Sequence, residues 1–476
     1  MNAPEPAAAL SRQTDRTLAE QLAARFAERI GQRLLPPGAR LPSVRDCARR
    51  HAISTSTVVA AYDRLLALGL VEARAQRGFF VRDAAAGRDK AAAAGLARPP
   101  LPVSATMLIR GMFQQSGQRP MPALGTLPAD WLDPALLATA LRAVSRGPAL
   151  AERALQYGEP AGEPRLRQAL ALKVAEYGVV ATPQQIVTTL GATQALDVVT
   201  RSLLRAGDGV LVDEPGWAIE YARLAALGMR VLPVPRGADG PDLAVMERLI
   251  AAHAPRLYVT VSVLHNPTGA SLSLHAAHRL LQLAQQHALH IVEDDTYAHL
   301  ASPHLPRLAA LDGLQRTVYL SGFSKILAPN WRVGYIAAPA ALVDRLVDTK
   351  LLCSLTTPSV TELALAHCLE KGLLRRHVER VVQRLDAARS RSVKVAEHHG
   401  FGFAAAPRGL FGWVDTGCDS ERLARAMLDA GWLIAPGALF HAAPRPTTLM
   451  RVNFATTQQP AFWHDLRRAC TDISRH

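Results

Sequence analysis

The stretch Tyr319–Tyr335, YLSGFSKILAPNWRVGY, sets one lysine, Lys325, in a small-polar turn after an apolar run. One arginine, Arg332, follows seven residues later. A lysine attacks a carbonyl only as the neutral amine, so a nucleophilic lysine needs a lowered pKa and a carbonyl partner. Most lysines that follow a strand are simply solvated, and the rest of the chain has to supply a reason to set this one apart. Four further segments do so, each just past an apolar run. TLGATQALD places Gly191, Ala192 and Thr193 ahead of a helical pattern, where small residues and a helix N-terminus suit an anion. VDEPGWAIEY offers the Trp217 indole as a stacking face, and HNPTG offers the Asn266 amide in a turn stiffened by Pro267. VEDDTYAHL ends in Asp294, with Tyr297 three residues on. Adjacent acids at a buried strand end are costly unless paired, so a cationic partner is expected.

Pyridoxal phosphate asks for this set of groups. Its aldehyde takes a lysine in a Schiff base, its pyridinium nitrogen a carboxylate and its phenolic oxygen hydrogen-bond donors. Its ring takes a stacking face, and its phosphate a helix terminus and an arginine. Each requirement has a candidate here, in a sensible order along the chain.

Such residues need strands to hold them. Strand candidates GVLVD, LYVTVSVL, HIVEDD, TVYLSG and RVGYIAA alternate with helical stretches such as TQALDVVTRSLLRAG and HAAHRLLQLAQQHA. That alternation predicts an α/β fold with a mostly parallel sheet, whose ligands bind beyond the carboxyl ends of the strands. From these motifs the body, residues 119–476, resembles a fold-type I aminotransferase of the aspartate aminotransferase class. The resemblance implies that Lys325 links to the cofactor and that Asp294 pairs with the pyridine nitrogen. It implies that Asn266 and Tyr297 contact the phenolic oxygen, that Trp217 stacks on the ring, and that Ala192, Thr193, Ser324 and Arg332 hold the phosphate. YGEPAGEPRLRQAL resembles the segment whose tyrosine, here Tyr157, reaches the phosphate of a neighbouring subunit. LMRVNFA resembles the segment whose arginine, here Arg451, clamps a carboxylate of the substrate or effector. Two departures stand out: Gly322 where the family usually has Ser or Thr, and Arg408 where a glycine is common.

The N-terminal part differs in character. Residues 1–83 hold thirteen arginines, no lysine and eight acids, a net +5 of the chain's formal +14. Leu18, Leu22, Phe26 and Ile30 recur every four residues as one face of a helix. Ser43 is the expected N-cap of a second helix, with Asp46 as its capping-box partner. ISTSTVVAAYDRLLALGL gives a third helix, with Val58, Tyr62 and Leu65 on one face, and LVEARAQRGFFV reads as two short strands around Gln76-Arg77-Gly78. The whole segment resembles the GntR-type winged helix-turn-helix. The predicted DNA contacts are Arg40, Ser43, Arg45 and Arg49 around the second helix, Ser54, Thr55, Ser56 and Thr57 opening the third, and Arg77 and Gly78 at the wing.

Between these parts, residues 84–118 read as a linker, Ala-, Gly- and Pro-rich at its start. The fusion resembles the MocR-type subgroup of GntR regulators. It implies a homodimeric, pyridoxal phosphate-dependent regulator that binds double-stranded DNA and responds to the cofactor or an amino compound. An active aminotransferase that carries a DNA-binding domain is the alternative. The bulk composition agrees. The five cysteines have no metal-ligand or redox spacing, which suggests reduced thiols in a cytoplasmic protein and no metal site. No apolar run approaches a membrane span, and no secretory signal pattern opens the chain.

Overall fold

The computed structural model describes residues 16–31, 35–74, 77–82, 121–146, 155–443 and 445–474. The expected linker 84–118 and Gln76 lie outside them. The chain divides into two compact units, Met1–Gly117 and Gln118–His476.

The first unit packs α1 (Leu18–Gly31), α2 (Val44–His51) and α3 (Thr55–Ala67) with the hairpin β1 (Val71–Arg74) and β2 (Gly78–Val81). Ser43 takes an extended conformation and accepts from the Asp46 N–H, which starts α2. The Asp46 carboxylate returns the bond through the Ser43 hydroxyl at 2.6 Å, not through its backbone. Ser54 caps α3 by accepting from the Thr57 N–H. Leu22 and Phe26 of α1 meet Val58, Tyr62 and Leu65 of α3 in one core, closed beneath by Val71 and Val81. Phe26 and Phe79 both present edge-to-face contacts to the Tyr62 ring.

In the second unit a seven-stranded sheet runs in the order β3 (Ile186–Thr189), β9 (Gly334–Ala337), β8 (Thr317–Gly322), β7 (His290–Asp294), β6 (Leu257–Thr260), β4 (Gly209–Glu214) and β5 (Arg230–Pro235). Only β9 runs against the others. The strands are apolar on both faces because both are covered. Val210 and Val212 join one core with Val292, Val318 and Ile336, while Leu211, Tyr258 and Ile291 pack on the other side beneath the helix Leu274–Gln286. A smaller antiparallel sheet follows, ordered β10 (Gly402–Phe403), β11 (Phe411–Asp415), β13 (Leu449–Asn453) and β12 (Ala435–Pro436). The carboxyl ends of β3, β4, β6, β7 and β8 lie along one edge of the large sheet, and β13 contributes one further arginine, Arg451, to the site described next.

Candidate cofactor site and DNA-facing module

β3 runs through Gly191 into the helix Ala192–Leu203. Gly191 has φ +82° and among the described residues no side chain caps the helix, so the first-turn N–H groups of Ala192 and Thr193 are left without intrahelical partners. Two bare positions keep this terminus open. A Cβ on Gly334 would come within 2.6 Å of Gly191 Cα, and a Cβ on Gly191 would lie 2.9 Å from Arg332 Nη2. Arg332 itself donates to the Leu190 carbonyl at 2.6 Å. A guanidinium therefore sits over a free helix N-terminus, which is an anion cradle. Gly322 faces the same place, where a Cβ would stand 3.5 Å from Ala192 N. Ser321 does not supply the hydroxyl that Gly322 lacks, because it donates to the Asp295 carbonyl at 2.7 Å. Ser324 is half-buried in the turn that carries Lys325.

Lys325 lies three residues beyond β8, and a Cβ on Gly125 would be 3.7 Å from its Nζ. Burial pushes its pKa down to about 8; Arg451 and Arg332 act in the same direction and Asp294 opposes them. Asp294 ends β7 and accepts from the Thr296 N–H at 2.9 Å and from the Thr296 hydroxyl. Burial pushes its carboxyl up to about 6, against those hydrogen bonds. Asn266 Nδ2 is 3.4 Å from the Tyr297 hydroxyl, and Asn266 Oδ1 accepts from Arg451 Nη1 at 2.9 Å. Arg451 is fully buried, with its guanidinium carbon 4.4 Å from the Phe411 ring centre, 5.2 Å from Phe440 and 5.4 Å from Trp217. It also donates to the Ala123 carbonyl, yet its Nε has no partner among the described residues. Burial lowers its pKa to about 10.

This arrangement fits pyridoxal phosphate: the cradle of bare glycines takes the phosphate, and a desolvated lysine is set for the aldehyde. A carboxyl whose charge is disfavoured until a cation arrives suits the ring nitrogen. An aromatic box around a partly unsatisfied guanidinium suits a carboxylate. The structure thus brings together Lys325, Asp294, Asn266, Tyr297, Trp217, Ala192, Thr193, Ser324, Arg332 and Arg451. Tyr157 stands apart, 81% exposed on the surface.

Sequence reasoning missed three features here. Glu220 lies in the first turn of the helix Ala218–Ala226, three residues after Trp217, and is buried. Burial, with Asp294 and Asp213 adding to it, holds its pKa well above the usual carboxylate value. Asp213 anchors a second buried group: it takes Arg236 Nη1 at 2.8 Å, the Thr260 hydroxyl at 2.7 Å and the Tyr258 hydroxyl. The cationic partner expected beside Asp294 is present but bonded to its neighbour, with Arg307 Nε 3.0 Å from Asp295. Glu220 had one signal, its helical spacing from Trp217.

In the first unit Arg40, Ser43, Arg45, Arg49, Ser54, Thr55, Ser56, Arg77 and Gly78 are exposed, while Thr57 is half-buried. Arg40 lies under the wing: a Cβ on Gly78 would be 3.5 Å from its Nε. Arg49 pairs with Asp46 one turn back. Ser54 is committed to the α3 cap, bonding the Thr57 N–H at 3.1 Å and the hydroxyls of Ser56 and Thr57.

Two known protein families match parts of the chain. Residues 130–467 match the family described as aminotransferase class I and II, and residues 18–81 match the gntR family of bacterial regulatory proteins. The chain is 29% identical to the uncharacterized HTH-type transcriptional regulator YdcR of Escherichia coli, over 92% of this chain and 94% of that one. It is 30% identical to the probable rhizopine catabolism regulatory protein MocR of Rhizobium meliloti, over 80% and 77%. The body superposes with a TM-score of 0.70 on LysN, the α-aminoadipate aminotransferase of Thermus thermophilus, in complex with N-(5'-phosphopyridoxyl)-L-leucine. That alignment has 27% identity and covers 77% of this chain and 95% of LysN. Among the described residues no helix is long and apolar enough to cross a membrane.

Proposed function

Because the chain belongs to the aminotransferase class I and II family and joins to it a GntR-type DNA-binding module, the architecture of MocR-type regulators, we propose that it is a transcription regulator whose body senses pyridoxal phosphate or an amino compound. Pyridoxal phosphate is the cofactor of the body. Bound at Lys325, it supplies an electron sink for bonds at the carbon that carries an amino group.

The chain's own residues have separable tasks in this reading. With a pKa near 8, roughly a tenth of Lys325 is neutral at pH 7, hundreds of times more than at an ordinary lysine. Asp294 holds a proton at the ring nitrogen, and Asn266 and Tyr297 address the phenolic oxygen. Trp217 covers one ring face. Ala192, Thr193, Ser324 and Arg332 hold the phosphate, with Tyr157 reaching the phosphate of a second copy in a homodimer. Arg451 exchanges the Asn266 and Ala123 oxygens for the carboxylate of an amino compound. That exchange gives the ligand a differential interaction with two states of the protein, without which binding shifts no equilibrium. In the module Arg45 and Arg77 meet phosphates or base edges, and the opening turn of α3 enters the DNA groove.

The joint placement of Lys325, Asp294 and Arg332 at neighbouring strand ends, in a chain that also carries the winged module, is the observation that carries this reading. The test is fluorescence anisotropy of a DNA fragment from upstream of the gene, titrated with cofactor-loaded protein, with and without a pool of amino acids and amines. A shift in affinity or saturation with the pool supports sensing of an amino compound. Binding unmoved by the pool, and unmoved again when the cofactor is removed, sinks the sensing reading.

A second reading, an active aminotransferase, is favoured by the complete set of Lys325, Asp294 and Arg451. Sustained turnover of an amino donor with a keto acid would establish it, and its absence from protein that binds both cofactor and donor would exclude it.

A further inference from the structure

Beneath the exposed Tyr157 lies a buried polar network that the cofactor site itself does not use. Lys350, in the helix Val343–Ser354, is fully buried and donates to the Pro160 carbonyl at 2.8 Å and towards the Thr188 hydroxyl at 3.4 Å. Thr188 bonds the Thr357 hydroxyl at 2.9 Å, and Thr357 donates to Glu362, 1% exposed. The other Glu362 oxygen accepts from the Glu163 N–H at 2.9 Å.

Every strand of this network ends on one short segment, residues 158–163. The Gly158 N–H donates to the Thr356 hydroxyl at 3.2 Å, and the Ala161 carbonyl accepts from the Thr188 N–H at 2.9 Å. The Gly162 carbonyl accepts from Arg167 at 3.1 Å. Gly162 has φ +106° and presses so closely on Thr188 that a Cβ there would lie 2.0 Å from its hydroxyl. Burying a lysine and a glutamate is costly and gains little stability over an apolar core. A solvent loop needs no such anchoring. Yet the residue that precedes the anchored segment, Tyr157, projects into solvent, as does Leu155 at 88% exposure.

We propose that Lys350 and Glu362, through Thr188 and Thr357, are positioning residues that fix residues 158–163 so that Tyr157 is aimed outward at the phosphate site of a second copy of this chain. The inference rests on the reading of Tyr157 given above and adds to it the device that pre-orders the tyrosine. Thr188 is also on β3, three residues before Gly191. The strand that carries a chain's own phosphate cradle is therefore bolted to the loop that serves its partner.

The experiment is a double-mutant cycle on the full chain, read as the dissociation constant of pyridoxal phosphate from tryptophan fluorescence or visible absorbance. Tyr157→Phe removes a hydroxyl bonded to a charged group and weakens cofactor binding about tenfold. Lys350→Met keeps the volume and length of the side chain and weakens binding by a similar factor, with the dimer intact by mass. The double variant binds within about twofold of the weaker single variant, because the two changes remove one interaction. Lys350→Met with unchanged affinity, or a double variant weakened by the product of the two factors, overturns the proposal while leaving the Tyr157 reading in place. Tyr157→Phe with unchanged affinity sinks that reading and the proposal with it. Should Lys350→Met fail to fold, Thr356→Val removes the acceptor of the Gly158 N–H at a half-buried site, and the same cycle is run with it.

Discussion

In the N-terminal unit Arg40, Arg45, Arg49 and Arg77 stand in solvent, whereas in the body Arg236, Arg307 and Arg451 are buried. The exposed set lost little hydration on folding. It attracts a polyanion at long range, and salt weakens that attraction because phosphate neutralisation releases counterions. The buried set was desolvated at folding. Arg236 and Arg307 recover the cost from Asp213 and Asp295. Among the described residues Arg451 has only amide and carbonyl oxygens and three aromatic faces, so it is the one of the three without a carboxylate there. The same residue type thus serves two kinds of recognition, and burial decides which. In the proposed function exposed arginines read many phosphates weakly, and a buried one takes a single carboxylate.

Breaking the body's chemistry at its centre gives the largest effect. Lys325→Ala removes the group proposed to link to pyridoxal phosphate, so borohydride reduction is expected no longer to fix the cofactor to the protein by mass, while the DNA-binding unit stays folded. In the native protein the rate of that attachment rises with pH through about 8, since only the neutral amine attacks and its fraction grows as protons leave. A midpoint near 10.5 would mean the lysine is solvated.

Arg451→Ala comes next. Loss of a charge-assisted fork inside a dry box costs about 3 kcal/mol, roughly a hundredfold in affinity for an amino acid, whereas DNA affinity in the absence of ligand is kept. On the exposed side, Arg45→Ala weakens binding to the upstream DNA about tenfold and lowers the salt slope by about one, with cofactor absorption unchanged. Loss of the absorption would mean that Arg45 belongs to the body's function as well. Ser54→Ala is the mildest: losing the α3 cap costs about 1 kcal/mol and lowers the melting midpoint of the first unit by a few degrees.

Much of this was legible in the sequence because strands buried on both faces are written as continuous apolar runs. β4, β7 and β8 fall where GVLVD, HIVEDD and TVYLSG stand, and the turn residues after them mark the site. LYVTVSVL is longer than the strand it contains, since pairing with β4 and β7 ends at Thr260 although Val263 stays buried. β5 escaped notice because Pro233 and Pro235 break its pattern, which an edge strand tolerates. β10 and β12, with two residues each, carry no period at all. Three buried ionisable residues were hidden for a related reason. Glu220, Lys350 and Glu362 sit in helices, where an isolated charge reads as solvated surface; only tertiary packing turns them inward. Ser54 shows the reverse, since its place before an apolar helix announces a cap as much as a DNA contact.

The most direct test of the account sets the native protein beside Lys325→Ala on the upstream DNA fragment in three conditions: without cofactor, with pyridoxal phosphate, and with pyridoxal phosphate plus the amino pool. The native protein's affinity or saturation is expected to differ between conditions, while Lys325→Ala gives one binding curve in all three. A single curve for the native protein throughout would contradict the claim that chemistry in the body governs how the N-terminal unit reads DNA.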